Sequence, residues 1–132
     1  MLGFMARLAG YHHVALSVKD IDVSVAWYRD VLGLQEELRL EPDGRRVAIL
    51  RLPESRQQVG LVEHQGPSGF DVRNMGLDHV AFSVASDEEL EAWARLFVER
   101  DVASSGIIET PFGGMVNFTD PDGIALALYW NR

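Results

Sequence analysis

The chain has 132 residues, no cysteine, and a net charge of −8 from twelve Lys and Arg against twenty Asp and Glu. A chain of this length suits one compact domain with a sizeable core. Without a basic block it is ill suited to nucleic-acid backbones, and without cysteine it has no disulfides or thiolate metal sites, which fits a reducing cytoplasm.

Residues 1–11 are apolar but interrupted by Gly3, Arg7 and Gly10. The run is far short of the ~20 apolar residues of a membrane span, and Arg7 is misplaced for a signal peptide. It reads as a tail, with Met5 as an alternative start. A first module is expected over 12–64. His12 to Val18 alternates with period two and predicts a strand carrying His13, Ala15 and Ser17 on one face, with His12 on the other. Asp20 or Asp22 is placed to cap a helix in which Ile21, Val25, Tyr28, Val31 and Leu32 recur at helical spacing, and Gly33 ends it. Strands are predicted over 35–40, 46–52 and 57–64, with a turn at Pro42-Asp43-Gly44.

Residues 65–76 form a linker rich in glycine and proline, with Phe70, Asp71 and Arg73 expected over the cleft opening. A second module over 77–132 repeats the plan. Asp78 to Val84 predicts a strand, and Ser86 to Glu89 has the form of a capping box. Leu90, Trp93, Ala94, Phe97 and Val98 make the buried stripe of a second helix. Strands are predicted over 104–109, 115–119 and 124–130, the last two joined by a hairpin at Pro121-Asp122-Gly123. Gly113-Gly114 reads as flexible backbone near the cleft.

The modules are copies. His12-His13-Val14-Ala15-Leu16-Ser17-Val18 returns sixty-six residues on as Asp78-His79-Val80-Ala81-Phe82-Ser83-Val84, identical at five positions of seven. The same offset carries Ala26-Trp27 onto Ala92-Trp93 and Arg29 onto Arg95. Both tryptophans are assigned to packing. His13 and His79 are thus related by pseudo-symmetry.

Two βαβββ units opening on a His-Val-Ala-hydrophobic-Ser-Val strand, with Asp120-Pro121-Asp122-Gly123 before a last apolar strand, resemble the vicinal oxygen chelate superfamily. That group includes glyoxalases, bleomycin-resistance proteins and extradiol dioxygenases, and the resemblance spans residues 12–130. It implies an α+β fold in which two tandem βαβββ modules form curved mixed sheets around a cleft, with the helices outside. It also implies a homodimer and a small-molecule ligand, with no nucleic-acid or membrane partner.

Metal-dependent relatives take one ligand from the first and one from the last strand of each module, for a divalent ion such as Zn, Ni, Mn or Fe. Here the first-strand residues are His13 and His79, the implied metal and catalytic positions. The last-strand positions fall at Gly60 and Ala127, neither of which has a donor. Gln58 is nearby, whereas His64 shares the face of Gly60 but lies about 13 Å along the strand; Glu63 points to the other face. Ligand contacts are expected at Asn117, Ala127, Tyr129, Gly60, His64 and Phe112. Three readings stay open: a metal-assisted lyase, isomerase or dioxygenase; a metal-free binding or sequestering protein; and metal-free acid/base catalysis by a cleft histidine.

Overall fold

The structure, a computed structural model, describes residues 6–8, 11–64, 69–74 and 76–132. The first module runs β1 (His13–Val18), α1 (Ile21–Asp30), β2 (Gln35–Leu40), β3 (Arg46–Arg51) and β4 (Gln58–Glu63). The second runs β5 (Val80–Ser83), α2 (Asp87–Glu99), β6 (Ser104–Thr110), β7 (Gly113–Thr119) and β8 (Ala125–Asn131). Each forms a four-stranded mixed sheet, in the orders β1-β4-β3-β2 and β5-β8-β7-β6. The first strand is parallel to the last, and the other pairs are antiparallel.

Local chemistry fixes the helix ends. The Asp20 carboxylate accepts from the amides of Asp22 (3.0 Å) and Val23 (3.3 Å), satisfying donors that helix geometry leaves free. Glu63, at the end of β4, accepts from the Ile21 amide at 2.9 Å, so it does face the helix. Gly33 adopts φ +76, and its amide returns to the Arg29 carbonyl while that of Leu34 returns to Tyr28, closing the helix through a left-handed glycine. In α2, Ser86 Oγ accepts from the Glu89 amide at 3.2 Å, while the Glu89 carboxylate reaches the Ala85 amide at 3.0 Å. The box therefore closes one residue earlier than the usual motif.

Alternation then decides the packing. Leu16, Val18, Ala48, Leu50, Val59 and Leu61 of the first sheet are buried beneath α1 residues Ile21, Val25 and Tyr28. Val116, Phe118, Leu126 and Leu128 of the second are buried with Leu90 and Phe97 of α2. All belong to one continuous hydrophobic cluster, so the helix-covered faces of the two sheets share a single core. Val98, expected in the α2 stripe, is instead 77% exposed. A helix lying on one sheet buries a narrow seam, which Leu90 and Phe97 occupy seven residues apart, and Val98 is rotated about 100° beyond it.

Phe118 joins the modules. Its ring lies 6.2 Å from Trp27 of α1 and 4.6 Å from Phe97 of α2. Beside it, the Tyr28 hydroxyl donates to Asp120 Oδ2 at 2.9 Å in a buried contact. Asp120 Oδ1 accepts from the amides of Asp122 and Ile124, both at 2.9 Å, which shapes the hairpin. Asp122 Oδ2 accepts from the Lys19 amide (3.2 Å) and Ser24 Oγ (3.4 Å). Arg100 adds a bond from α2 to the carbonyl of Asp30 at 2.7 Å. Among the described residues no helix is long and apolar enough to cross a membrane.

Removing the hydroxyl with Tyr28→Phe leaves a buried carboxylate oxygen without its donor and should cost about 1.5–3 kcal/mol in urea unfolding. Burial holds the Asp120 carboxyl above its ordinary value, against the lowering effect of its hydrogen bonds. The stability linked to its protonation is therefore fully present below that ordinary value and lost as pH rises through the raised one. Relative to Asp120→Asn, the wild-type chain should be more stable near pH 4 than near pH 7; a gap that widens with pH would contradict this.

Candidate ligand cleft and the two histidine faces

Because one face of each sheet enters the common core, the opposite faces look outward. These are the faces that carry the repeated histidines. On β1, His13, Ala15 and Ser17 are exposed; on the β5 segment, His79, Ala81 and Ser83 are exposed. Within one chain the cleft of the second module includes His79 but no residue of the first module, so of the two arrangements the sequence leaves open, within one chain or shared between two, the single chain does not bring His13 and His79 together. Periodicity assigns residues to a face but cannot tell which faces of two sheets will meet.

The second module's open face forms a cleft of about 630 Å³. Its walls include Asp78, His79, Ser104, Met115, Asn117 and Tyr129, with Thr119 and Ala125 also contributing. Register explains the grouping: Ala81, Ala127 and Asn117 form one row across β5, β8 and β7, and Ser83, Tyr129 and Met115 form the next. Small side chains on β5 and β8 leave the depression, and larger ones on β7 and at Tyr129 rim it. Ala127 itself is 1% exposed, so it is covered floor.

Asp78 gives His79 a defined orientation. Its Oδ2 lies 2.8 Å from His79 Nδ1. An ionised carboxylate only accepts, so Nδ1 carries the proton and Nε2 remains for a ligand. Alternation puts Met115, Asn117 and Thr119 on one face of their strand, and all three line the cleft; Asp78 does not stand out from the sequence, its one available signal being adjacency to His79.

On the first module, His13 pairs in register with Gln58, and Ala15 with Gly60. Gln58 is thus the nearest cross-strand polar neighbour of His13, roughly 4.8 Å away between strands. Arg51 lies next in that row, but its guanidinium is held by Glu37 at 2.9 Å and by the Ser55 carbonyl at 3.1 Å. Leu38 and Leu40 are 49% and 47% exposed on the same open face, paired with Ile49 and Val47.

Other expected residues lie elsewhere. His64 follows Glu63, which pairs with Val18, so it sits at the end of the sheet far from His13. Phe112 is 73% exposed at the β6–β7 turn, outside the cleft lining. His12 precedes β1, so strand alternation does not govern it. Its Nδ1 lies 2.9 Å from that of His13, which places the two rings in contact rather than on opposite faces. Of the linker, 65–68 and Met75 fall outside the described residues; Phe70 packs against the core, and Asp71 pairs with Arg73 at 2.8 Å. Trp27 and Trp93 pack as expected, against Phe118 and Phe97.

The two notable glycine positions differ in kind. A Cβ at Gly113 would stand 2.0 Å from the Trp130 carbonyl oxygen, so close backbone approach requires glycine there, rather than flexibility. At Gly60 an added Cβ would meet Ala15 Cβ at 3.4 Å and Ile49 Cδ1 at 3.8 Å, ordinary contacts. Gly113→Ala should consequently cost more than about 3 kcal/mol or prevent folding, whereas Gly60→Ala should stay within about 1 kcal/mol of wild type. Thermal and urea denaturation of both variants would check the contrast.

Comparison with known proteins places this arrangement in context. The family model of the Glyoxalase/Bleomycin resistance protein/Dioxygenase superfamily matches residues 10–128. The uncharacterized protein YaeR of Escherichia coli (strain K12) is 31% identical over 131 residues, covering 95% of this chain and 98% of YaeR. MhqA of Bacillus subtilis (strain 168), assigned as a ring-cleaving dioxygenase, is 27% identical over 124 residues, or 90% of this chain; the chain spans only 39% of its length. Among solved structures, a glyoxylase/bleomycin resistance protein/dioxygenase domain from Frankia sp. EAN1pec superposes with a TM-score of 0.89 at 35% identity, covering 96% of this chain and 94% of that one.

Proposed function

The chain belongs to the Glyoxalase/Bleomycin resistance protein/Dioxygenase superfamily, and on that footing we propose that it binds a small organic molecule in the cleft of its second module. The observation that carries this reading is the cleft itself. Its volume of about 630 Å³ falls within the roughly 300–1,000 Å³ of small-molecule sites. Among its polar groups, His79 Nε2, the Asn117 amide and the Tyr129 hydroxyl can fix a ligand's orientation, while Ala125 and Met115 offer apolar contact. With a net charge of −8, the surface field favours cationic or neutral ligands over anions.

A second copy completes the enclosure. Leu38 and Leu40 leave an apolar strip open on the first module's histidine face. Laying that face over a partner's cleft would cover both surfaces and bring the His13 row of one chain towards the His79 row of another. The working form in this reading is a homodimer in a reducing cytoplasm.

One observation favours a catalytic version of this reading. Asp78 fixes His79 in the tautomer whose Nε2 can accept a proton, the orientation that general-base chemistry requires. In that version His79 takes a proton from a bound substrate and returns it, without a metal.

A thermal-shift and NMR screen against antibiotics and small metabolites should return ligands. His79→Ala and Asn117→Leu should each weaken them by about tenfold or more, roughly 1.4 kcal/mol. His64→Ala and Phe112→Ala should leave affinity unchanged. A screen with no binder, or one whose binders ignore the cleft variants, would sink the proposal. For the assembly, sedimentation should give a dimer that Leu38→Asp with Leu40→Asp shifts to monomer.

A further inference from the structure

The fold family brings with it the expectation of a divalent ion held by four side chains, two from each module. This chain's donor set does not fit one. We propose that His13 and His79 hold no divalent ion in this protein, and that the space which ligating side chains would fill is left to the organic ligand. The absence of a bound ion concerns the donor set alone and stands whether or not the ligand-binding reading does; the use of the space by an organic ligand rests on that reading.

Strand register makes the mismatch specific. Gly60 lies beside Ala15, two residues on from His13. Ala127 lies beside Ala81, two residues on from His79. The two last-strand positions therefore have equivalent placements relative to their histidines, and neither has a donor atom. The neighbours do not make good the loss. Glu63 is on the helix side, bonded to the Ile21 amide and to Arg46. Asp78 is occupied with His79 Nδ1. Among the described residues no group of three His, Asp or Glu side chains is placed to hold a metal. Even with two chains joined, the open faces would offer His13, His79 and the neutral amide of Gln58, with His12 turned onto His13 through its Nδ1 at 2.9 Å and no carboxylate beside them except Asp78, which is already bonded to His79. A catalytic zinc site usually takes three protein ligands, and a non-haem iron site needs a carboxylate beside its two histidines.

Packing does not enforce the absence at Gly60. The backbone there is in no left-handed conformation, and a Cβ would sit 3.4 Å from its nearest neighbour, in ordinary contact. The scaffold could carry a ligand at that position and does not.

The test uses the full chain purified without chelator, with Ni²⁺ and Mn²⁺ as probes in elemental analysis and calorimetry. Wild type should carry under about 0.1 equivalent of metal and bind neither ion more tightly than about 100 μM. Gly60→Glu combined with Ala127→Glu should bind at least about a hundredfold more tightly, and His13→Ala in that background should abolish the gain. Because Ala127 is covered floor, circular dichroism would establish folding first. If the double variant does not fold, Gly60→Glu alone should gain about tenfold over wild type. Near-stoichiometric metal in wild type, or micromolar binding lost on His13→Ala or His79→Ala, would overturn the proposal. A folded variant with no gain in affinity would overturn the assignment of the missing donors to positions 60 and 127.

Discussion

The shared core between the two sheets depends on Phe118. Its ring contacts an aromatic residue of each helix, Trp27 of the first and Phe97 of the second. Aromatic contacts of this kind combine large buried area with a preferred geometry. With that ring in place, the helix-covered faces are committed to each other and the histidine faces are left to solvent. The position of every candidate functional side chain follows from this choice of partner faces.

The hydrogen bonds beside Phe118 convert a packed contact into a fixed one. Hydrophobic burial is non-directional and would tolerate some sliding of one module on the other. The Tyr28–Asp120 bond is directional and buried, so sliding would strand a polar group away from water. Asp120 also organises the hairpin that leads into β8. The strand that supplies Ala125 and Tyr129 to the cleft is therefore positioned from the other module.

Much of the fold was legible because it rests on local signals. Alternation in 12–18, the caps at Asp20 and Ser86, Gly33 and the turn at 121–123 all act over a few residues. The internal repeat extended them to the whole chain. The site was legible only in part. Asn117, Tyr129 and His79 share a face by simple alternation, and the structure does bring them to one cleft. Which faces of the sheets would meet depends on contacts between distant residues, and no periodicity encodes it. His12 escaped because alternation was extended one residue beyond the strand. Gly113 escaped because the need for glycine comes from Trp130 on a neighbouring strand. His64 and Phe112 have site-like chemistry but stand at element ends, where a count along the chain carries no information about the third dimension.

The module clasp also bears on how a duplicated chain can become one molecule. Tyr28 has Ala94 as its mate in the repeat, and the β3–β4 turn, 52–57, has no aspartate. A protein made of two first halves would offer its tyrosines Glu54, the repeat mate of Asp120, in place of the aspartate. One made of two second halves would have aspartates with no tyrosine. The contact joins residues that differ between the copies, so the difference is itself part of what joins them. The pseudo-symmetry is then a record of origin, and its breakage at this contact sets the halves to different work. One presents the cleft, and the other holds its last strand in place.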